Sequence, residues 1–173
     1  MQTIFSHIVQ KRFSQYNEDI VTDALAYLLK SSESANRGMM KLLKSILPDL
    51  PDLRFITQKA EEDIRPDMWG YTFENEPRAF IENKFWAGLT DQQPVSYLNQ
   101  LSSYTQPCLL LFIAPAARKH TLWRVLKRRL IVDDLTFSEN EISDNSVFSL
   151  TSDIGPVLAL STWSQVLSVL DQT

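Results

Sequence analysis

Apolar positions along the chain recur first at helical and then at strand spacing. Residues 18–30, EDIVTDALAYLLK, set Ile20, Val21, Ala24, Leu25, Leu28 and Leu29 three and four apart, which predicts an amphipathic helix. Asn17 can cap it, and Glu18 and Asp19 suit its positive end. MMKLLKSIL (39–47) predicts a second helical stretch stopped by Pro48 and Pro51, after SSESANRG, a loop or helix start. From residue 53 the period drops to two. Segments 53–60, 64–73 and 78–86 predict three strands, with ENEPR (74–78) as the turn between the last two. LTDQQPVSYLNQLSSY (89–104) predicts a helix capped by Thr90 or Asp91, with Pro94 in its first turn. CLLLFIAP (108–115) has the unbroken apolarity of a strand buried on both faces. ARKHTLWRVLKRRL (117–130) predicts a basic amphipathic helix, 136–151 short strands, and STWSQVLSVL (161–170) a closing helix capped by Ser161 or Thr162. The order α, β-β-β, α-β-α predicts one α/β sandwich around a mixed sheet, a single domain over 1–173.

Composition narrows the class. The chain has 173 residues, 44% hydrophobic and 22% charged, ordinary for a globular protein. No apolar run approaches the ~20 residues of a membrane span, and MQTIFSHIVQKRF lacks the form of a signal peptide. A single cysteine, Cys108, excludes an internal disulfide and a zinc site built on cysteines. The expectation is a cytoplasmic protein without a membrane partner. The net charge of −4 argues against nucleic acid until its distribution is read. Residues 131–173 hold seven acids and neither Lys nor Arg, which leaves 17 basic against 14 acidic residues in 1–130, a net of +3. Local basic surface therefore survives the overall sign.

The chemistry concentrates in RPDMWGYTFENEPRAFIENKF (65–85). On the predicted strand, Phe80, Glu82, Lys84 and Trp86 share one face, while Ala79, Ile81, Asn83 and Phe85 face the other way. Folding the hairpin about residues 75–76 sets Asp67 opposite Lys84, with Glu82 diagonal to it, within ~5–8 Å. Two carboxylates at that range repel unless a cation sits between them. Mg²⁺ suits such all-oxygen ligands, and Lys84 on the same face can hold an attacking water and a phosphate. The structural alternative is an ion-paired strand face, with Lys84 bridging two solvated acids.

RPD (65–67) and IENK (81–84) together resemble the two signatures of the PD-(D/E)xK nuclease superfamily, the fold of many restriction endonucleases and phage-defence effectors. EDIVTDALAYLL (18–29) resembles that family's N-terminal helix, QPVSY (93–97) its Gln-x-x-x-Tyr helix, LLLFIAP its fourth core strand, and STWSQVLSVL a closing helix, so the resemblance spans about residues 14–170. It implies a restriction-endonuclease-like α/β/α sandwich and metal-dependent hydrolysis of phosphodiester bonds in DNA. Asp67, Glu82 and the Asn83 carbonyl would hold Mg²⁺, with Mn²⁺ as a substitute, and Glu18 would contact the metal directly or through water. Lys84 would act on the water and the phosphate. Gln93 and Tyr97 would reach the scissile phosphate or brace Lys84, with plain helix packing as the alternative. Two further readings stay open: a catalytically silent binding or sensor module of the same fold, and an RNA-directed nuclease. Double-strand cutting would favour a homodimer, and the short chain suggests a separate recognition or regulatory protein.

Helix 117–130 carries Arg118, Lys119, Arg124, Lys127, Arg128 and Arg129 without an acid. Arg124, Lys127 and Arg128 are the candidate phosphate contacts, against the alternative of a solvated face opposite Leu122, Trp123, Val125, Leu126 and Leu130. Arg37, Lys41 and Lys44 form a weaker second patch. His7 and His120 carry no nucleophile or metal motif around them, and four glycines supply no phosphate-cradling loop.

Overall fold

The structure, a computed structural model, describes residues 18–57, 64–91, 93–140 and 147–171. The cap assigned to Asn17, the side chain of Glu18, His7, strand positions 58–60, Glu141 and Asp144 lie outside the described residues.

Two helices lead: α1 (Glu18–Ser31) and α2 (Glu33–Ile46). Ser32 separates them and caps α2, its hydroxyl accepting from the Ala35 amide at 3.2 Å. Helix α2 therefore begins six residues before the apolar run that predicted it. Strands β1 (Arg54–Thr57), β2 (Met68–Tyr71) and β3 (Pro77–Asn83) follow, then α3 (Val95–Ser102) and β4 (Leu109–Ala114). A 3-10 turn, Ala116–Arg118, opens into α4 (Lys119–Val132). The chain closes with β5 (Phe137–Glu139), β6 (Phe148–Ser152), β7 (Val157–Thr162) and α5 (Trp163–Asp171). The described residues thus form an α/β fold of five helices and one seven-stranded sheet, in the order β1-β2-β3-β4-β7-β6-β5. The sheet is mixed: β3-β4 and β4-β7 run parallel, and the outer pairs antiparallel.

Side chains alternate across the sheet and build two cores. Met68, Ala79, Ile81, Leu109, Leu111, Ile113 and Ala159 pack with α1, α2 and α5. Trp69, Phe80, Leu110, Phe112, Leu158 and Leu160 pack with α3 and α4. The sheet is therefore covered by helices on both faces. β4 lies at its centre, and each of its residues is fully buried. That burial is why the segment reads as an unbroken apolar run. No helix among the described residues is long and apolar enough to cross a membrane.

Four expectations need correction. Ile20 and Val125, assigned to apolar stripes, are exposed. Helix α3 starts at Val95, not near 90, because Pro94 disfavours helical geometry in the residue before it. Residues 157–162 form a strand that alternation did not flag, because VLAL is a short, fully buried run, paired parallel with β4 and antiparallel with β6 and covered by helices on both faces. Finally, the β2-β3 register pairs Met68 with Ile81 and Gly70 with Ala79. Continued outward, it sets Asp67 across from Glu82, not Lys84. The turn explains the slip: Thr72 takes the Glu76 carbonyl, Asn75 adopts a left-handed φ of 67°, and a bulge sits at Gly70/Tyr71. A shift of two residues keeps every side chain on its predicted face.

Candidate functional site

The C-terminal end of β3 carries three consecutive polar residues into the interior: Glu82, Asn83 and Lys84 are all buried. The sheet holds them rigidly. Glu82 and Asn83 pair with Phe112 and Ile113 of β4, and the Lys84 amide donates to the Ile113 carbonyl at 2.8 Å. Alternation sends Glu82 and Lys84 to the α3/α4 side and Asn83 to the α1 side.

On the α3 side, Lys84 Nζ lies 2.8 Å from Glu82 Oε1, with both side chains about 5–6% exposed. The same oxygen accepts from Gln93 Nε2 at 2.7 Å. Gln93 Nε2 also lies 3.1 Å from the Tyr97 hydroxyl, which donates to the Arg65 carbonyl at 3.1 Å. Glu82 Oε2 is equally buried and meets no donor at normal hydrogen-bond geometry among the described residues, although the Asp67 backbone lies near the carboxylate. One oxygen of the carboxylate thus collects two side-chain donors, and the other collects no side-chain donor among the described residues.

Burial pushes the Glu82 carboxyl above its ordinary value. The Lys84 charge and hydrogen bond, the Gln93 amide and the backbone at Asp67 all pull it back, without cancelling the desolvation. Burial, reinforced by the Glu82 charge, pushes the Tyr97 hydroxyl up, so it stays protonated and serves as a donor. Cys108, in the same core, is pushed up to about 11 by burial and is no nucleophile.

Asp67 precedes β2 and is partly buried. Its Oδ2 accepts from the Asn83 amide at 2.7 Å, which ties the acid of one strand to the residue beside Glu82. On the α1 side, Asn83 Nδ2 donates to Thr22 Oγ1 at 2.7 Å, while Asn83 Oδ1 is buried without a partner. Thr22 lies one helical turn after Glu18, so the start of α1 approaches the end of β3.

The structure therefore gathers Asp67, Glu82, Asn83, Lys84, Gln93 and Tyr97, six of the residues singled out in the sequence. It changes what two of them do. Gln93 braces Glu82, not Lys84. Tyr97 is buried, packed edge-on to Phe80, and supports Gln93, so it presents no surface to a nucleic acid.

The basic helix divides. Arg118 donates to the Phe85 and Ala87 carbonyls, and Arg129 to the Thr90 and Gln93 carbonyls. Lys119 is buried, 4.1 Å from the Phe148 ring centre, and Lys127 pairs with Glu139 at 2.8 Å. Arg124 and Arg128 are exposed. Arg128 lines an open groove of about 340 Å³ with Asp91, Val125, Arg129, Val132 and Asp133, beside the loop that carries Gln93. In the weaker patch, Arg37 pairs with Glu33 and Lys44 with Asp52. Sequence reasoning missed Thr22, the Arg65 carbonyl, and the structural work of Arg118 and Arg129. Each contact joins residues at least 31 positions apart, a range no local pattern encodes.

A metal is implied by the resemblance and tested by the donors. Among the described residues no three His, Cys, Asp or Glu side chains are gathered to hold an ion. Two carboxylates are present, with the Glu18 side chain outside the description. The buried, unpartnered Glu82 Oε2 is an atom that a hard cation would satisfy, so the residues present fit a divalent ion.

No protein-family model matches the chain, and no curated protein matches it. Among solved structures it is similar to the crystal structure of the YaeQ protein from Xanthomonas axonopodis pv. citri. The two share 16% identity over 75% of this chain and 78% of that one, at a TM-score of 0.25, too low to support any inference.

Proposed function

We propose that the chain is a restriction-endonuclease-like, Mg²⁺-dependent nuclease that hydrolyses phosphodiester bonds in DNA, a chemistry suited to a phage-defence effector. One observation carries the reading: a buried carboxylate, Glu82, held by Lys84 and Gln93 through one oxygen, presents the other without a partner. A purely structural ion pair would satisfy both oxygens, since an unpaired buried acceptor costs about 1–3 kcal/mol.

Asp67, Glu82 and the Asn83 carbonyl would hold the ion. Bound there, a divalent ion supplies Lewis acidity at the phosphate and lowers the pKa of bound water. The chain's own residues do the rest. Gln93 fixes the Glu82 rotamer by donating to Oε1. Tyr97 fixes Gln93 and keeps its proton. Lys84, ion-paired with Glu82, would present its remaining donors to the attacking water and to the charge that grows on the phosphate oxygens. The water releases a proton to solvent as its oxygen bonds to phosphorus, the bond to the leaving oxygen breaks, and that oxygen takes up a proton from solvent. Arg124 and Arg128 are exposed cations on α4 and would meet the phosphate backbone.

The test is cleavage of supercoiled plasmid. Nicking or linearisation with Mg²⁺, absent with EDTA and absent in Glu82→Ala, is the expected result. Intact plasmid at millimolar Mg²⁺ and Mn²⁺, with RNA equally untouched, would leave a buried ion pair without hydrolytic function.

A further inference from the structure

The segment that carries Gln93 is gripped from outside the site. Residues 85–93 join Lys84 to α3 and include no helix or strand among their described positions. At one end Arg118 Nη1 donates to the Phe85 carbonyl at 2.7 Å and the Ala87 carbonyl at 3.0 Å. At the other, Arg129 Nη1 donates to the Thr90 carbonyl at 2.5 Å and the Gln93 carbonyl at 3.4 Å. We infer that Arg118 and Arg129 are positioning residues that set the orientation of the Gln93 side-chain amide, and through it the Glu82 carboxylate.

The loop is buried at its ends, Phe85 and Gln93, and exposed at Trp86, Gly88, Thr90 and Asp91 between them. With no helix or strand to fix it, its carbonyls are held from outside, and a guanidinium carries several donors in a fixed fork. The two arginines stand eleven positions apart on the 3-10 turn and α4, roughly 16 Å along a helix. The loop is thereby held at two points by one rigid element. Inside it, the Gln93 amide donates to the Thr90 carbonyl at 3.2 Å, and Gln93 Oε1 accepts from the Thr90 amide at 3.3 Å. That second bond fixes which end of the side-chain amide points back to the loop. Nε2 must then point inward, where it meets Glu82 Oε1 and the Tyr97 hydroxyl. Arg129 holds the same two residues, Thr90 and Gln93, that make this closed turn. Without it the turn loses its external anchor, and the amide can rotate away from Glu82.

The positioning itself stands on geometry alone, while its catalytic meaning rests on the nuclease reading. The experiment separates the two. In ¹⁵N-labelled full-length protein, the Gln93 side-chain amide of the native chain should show shifted, slowly exchanging resonances. In Arg129→Met its exchange should quicken at least about tenfold, with backbone amides of β4 unchanged. Arg129→Lys, which keeps one donor and the charge, should recover part of the protection. It also carries the comparison if Arg129→Met does not fold. On an oligonucleotide substrate, Arg129→Met should lower kcat by about 10–100-fold with little change in KM, and adding Gln93→Ala should cost nothing further. A Gln93 amide unchanged in Arg129→Met and in Arg118→Met overturns the proposal whatever the activity. So does a loss confined to KM, which would make Arg129 a plain phosphate contact. If the amide responds as expected but the native chain cleaves nothing, the positioning stands and the nuclease reading falls.

Discussion

Replacing Lys84 by methionine tests the site at its most exposed point, because stability and chemistry should then part company. The Lys84 and Glu82 side chains are about 6% and 5% exposed, and their charges lie 2.8 Å apart. Methionine keeps the stem's volume and leaves the Glu82 charge with Gln93 as its remaining side-chain donor. Breaking a buried pair on one side costs about 3–5 kcal/mol. The loss should depend on pH in a defined direction. Glu82 already has a raised folded value, with burial as the largest cause and Lys84 as the strongest opposing one. A carboxyl of that kind binds its proton more tightly when folded. Its contribution is fully present below the ordinary carboxyl value and is lost as pH rises through the raised one. Removing Lys84 raises that value further and widens the window. Urea unfolding should therefore show a large deficit for Lys84→Met near pH 8 and a smaller one near pH 5, the direction set by the raised Glu82 value. Glu82→Gln added to Lys84→Met should restore most of the stability near pH 8. Mg²⁺ should stabilise Lys84→Met at least as well as the native chain, while cleavage falls by ~10²–10³. A deficit under about 1 kcal/mol, or one equal at both pH values, would refute the reasoning, since the pair would then behave like an exposed one.

Other consequences follow from particular contacts. Reversing Arg124 and Arg128 to Glu should weaken DNA binding and flatten its salt dependence in a titration at several ionic strengths, whereas Lys127→Glu should do less, because Lys127 is already paired with Glu139. Thr22→Val removes the acceptor of the buried Asn83 amide and should cost about 1–3 kcal/mol in chemical denaturation, with the Lys84–Glu82 pair untouched. At Gly70, an added Cβ would lie 2.9 Å from Leu53 Cδ1 and 3.1 Å from Ala79 Cβ, so Gly70→Ala should destabilise by about 1–3 kcal/mol by overpacking beside the bulge that sets the register.

Much of the site was legible because it depends on parity. Alternation along AFIENKFW put Glu82 and Lys84 on one face and Asn83 on the other, and the structure keeps that division, with Gln93 meeting Glu82 and Thr22 meeting Asn83. The partner across the hairpin was misjudged by two residues, because turn composition does not reveal that Asn75 takes a positive φ or that a bulge absorbs a residue at Gly70. A slip of one residue would have turned Asp67 away from the site; a slip of two is invisible to face-based reasoning. The basic helix misled for a different reason. Cations without neighbouring acids look like a solvated or phosphate-facing surface, yet Arg118 and Arg129 spend their donors on carbonyls of a loop up to 39 residues away. Strand β7 escaped because a short run buried on both faces has no alternation to detect.

Burial gives the candidate site its weight. The same positions could be filled by apolar side chains, and replacing a buried ion pair in that way is often neutral or stabilising by about 1–4 kcal/mol. The sheet already has two full cores, and β3 contributes Ala79, Phe80 and Ile81 to them before Glu82 begins. Stability alone therefore does not call for a carboxylate and an ammonium at the end of that strand, still less for a carboxylate oxygen left bare. The surrounding groups hold that arrangement in place. Gln93 and Lys84 converge on one oxygen of Glu82, Tyr97 and Thr90 fix Gln93, and Asp67 anchors itself to the Asn83 amide. A buried acceptor without a donor is costly to keep, so a group that satisfied it would bind favourably there. If that group is a divalent cation, Mg²⁺ should raise the melting temperature of the native chain, and Glu82→Gln should abolish the rise while retaining the shape and the Gln93 contact. A rise that survives Glu82→Gln would place the ion elsewhere and leave Oε2 unexplained.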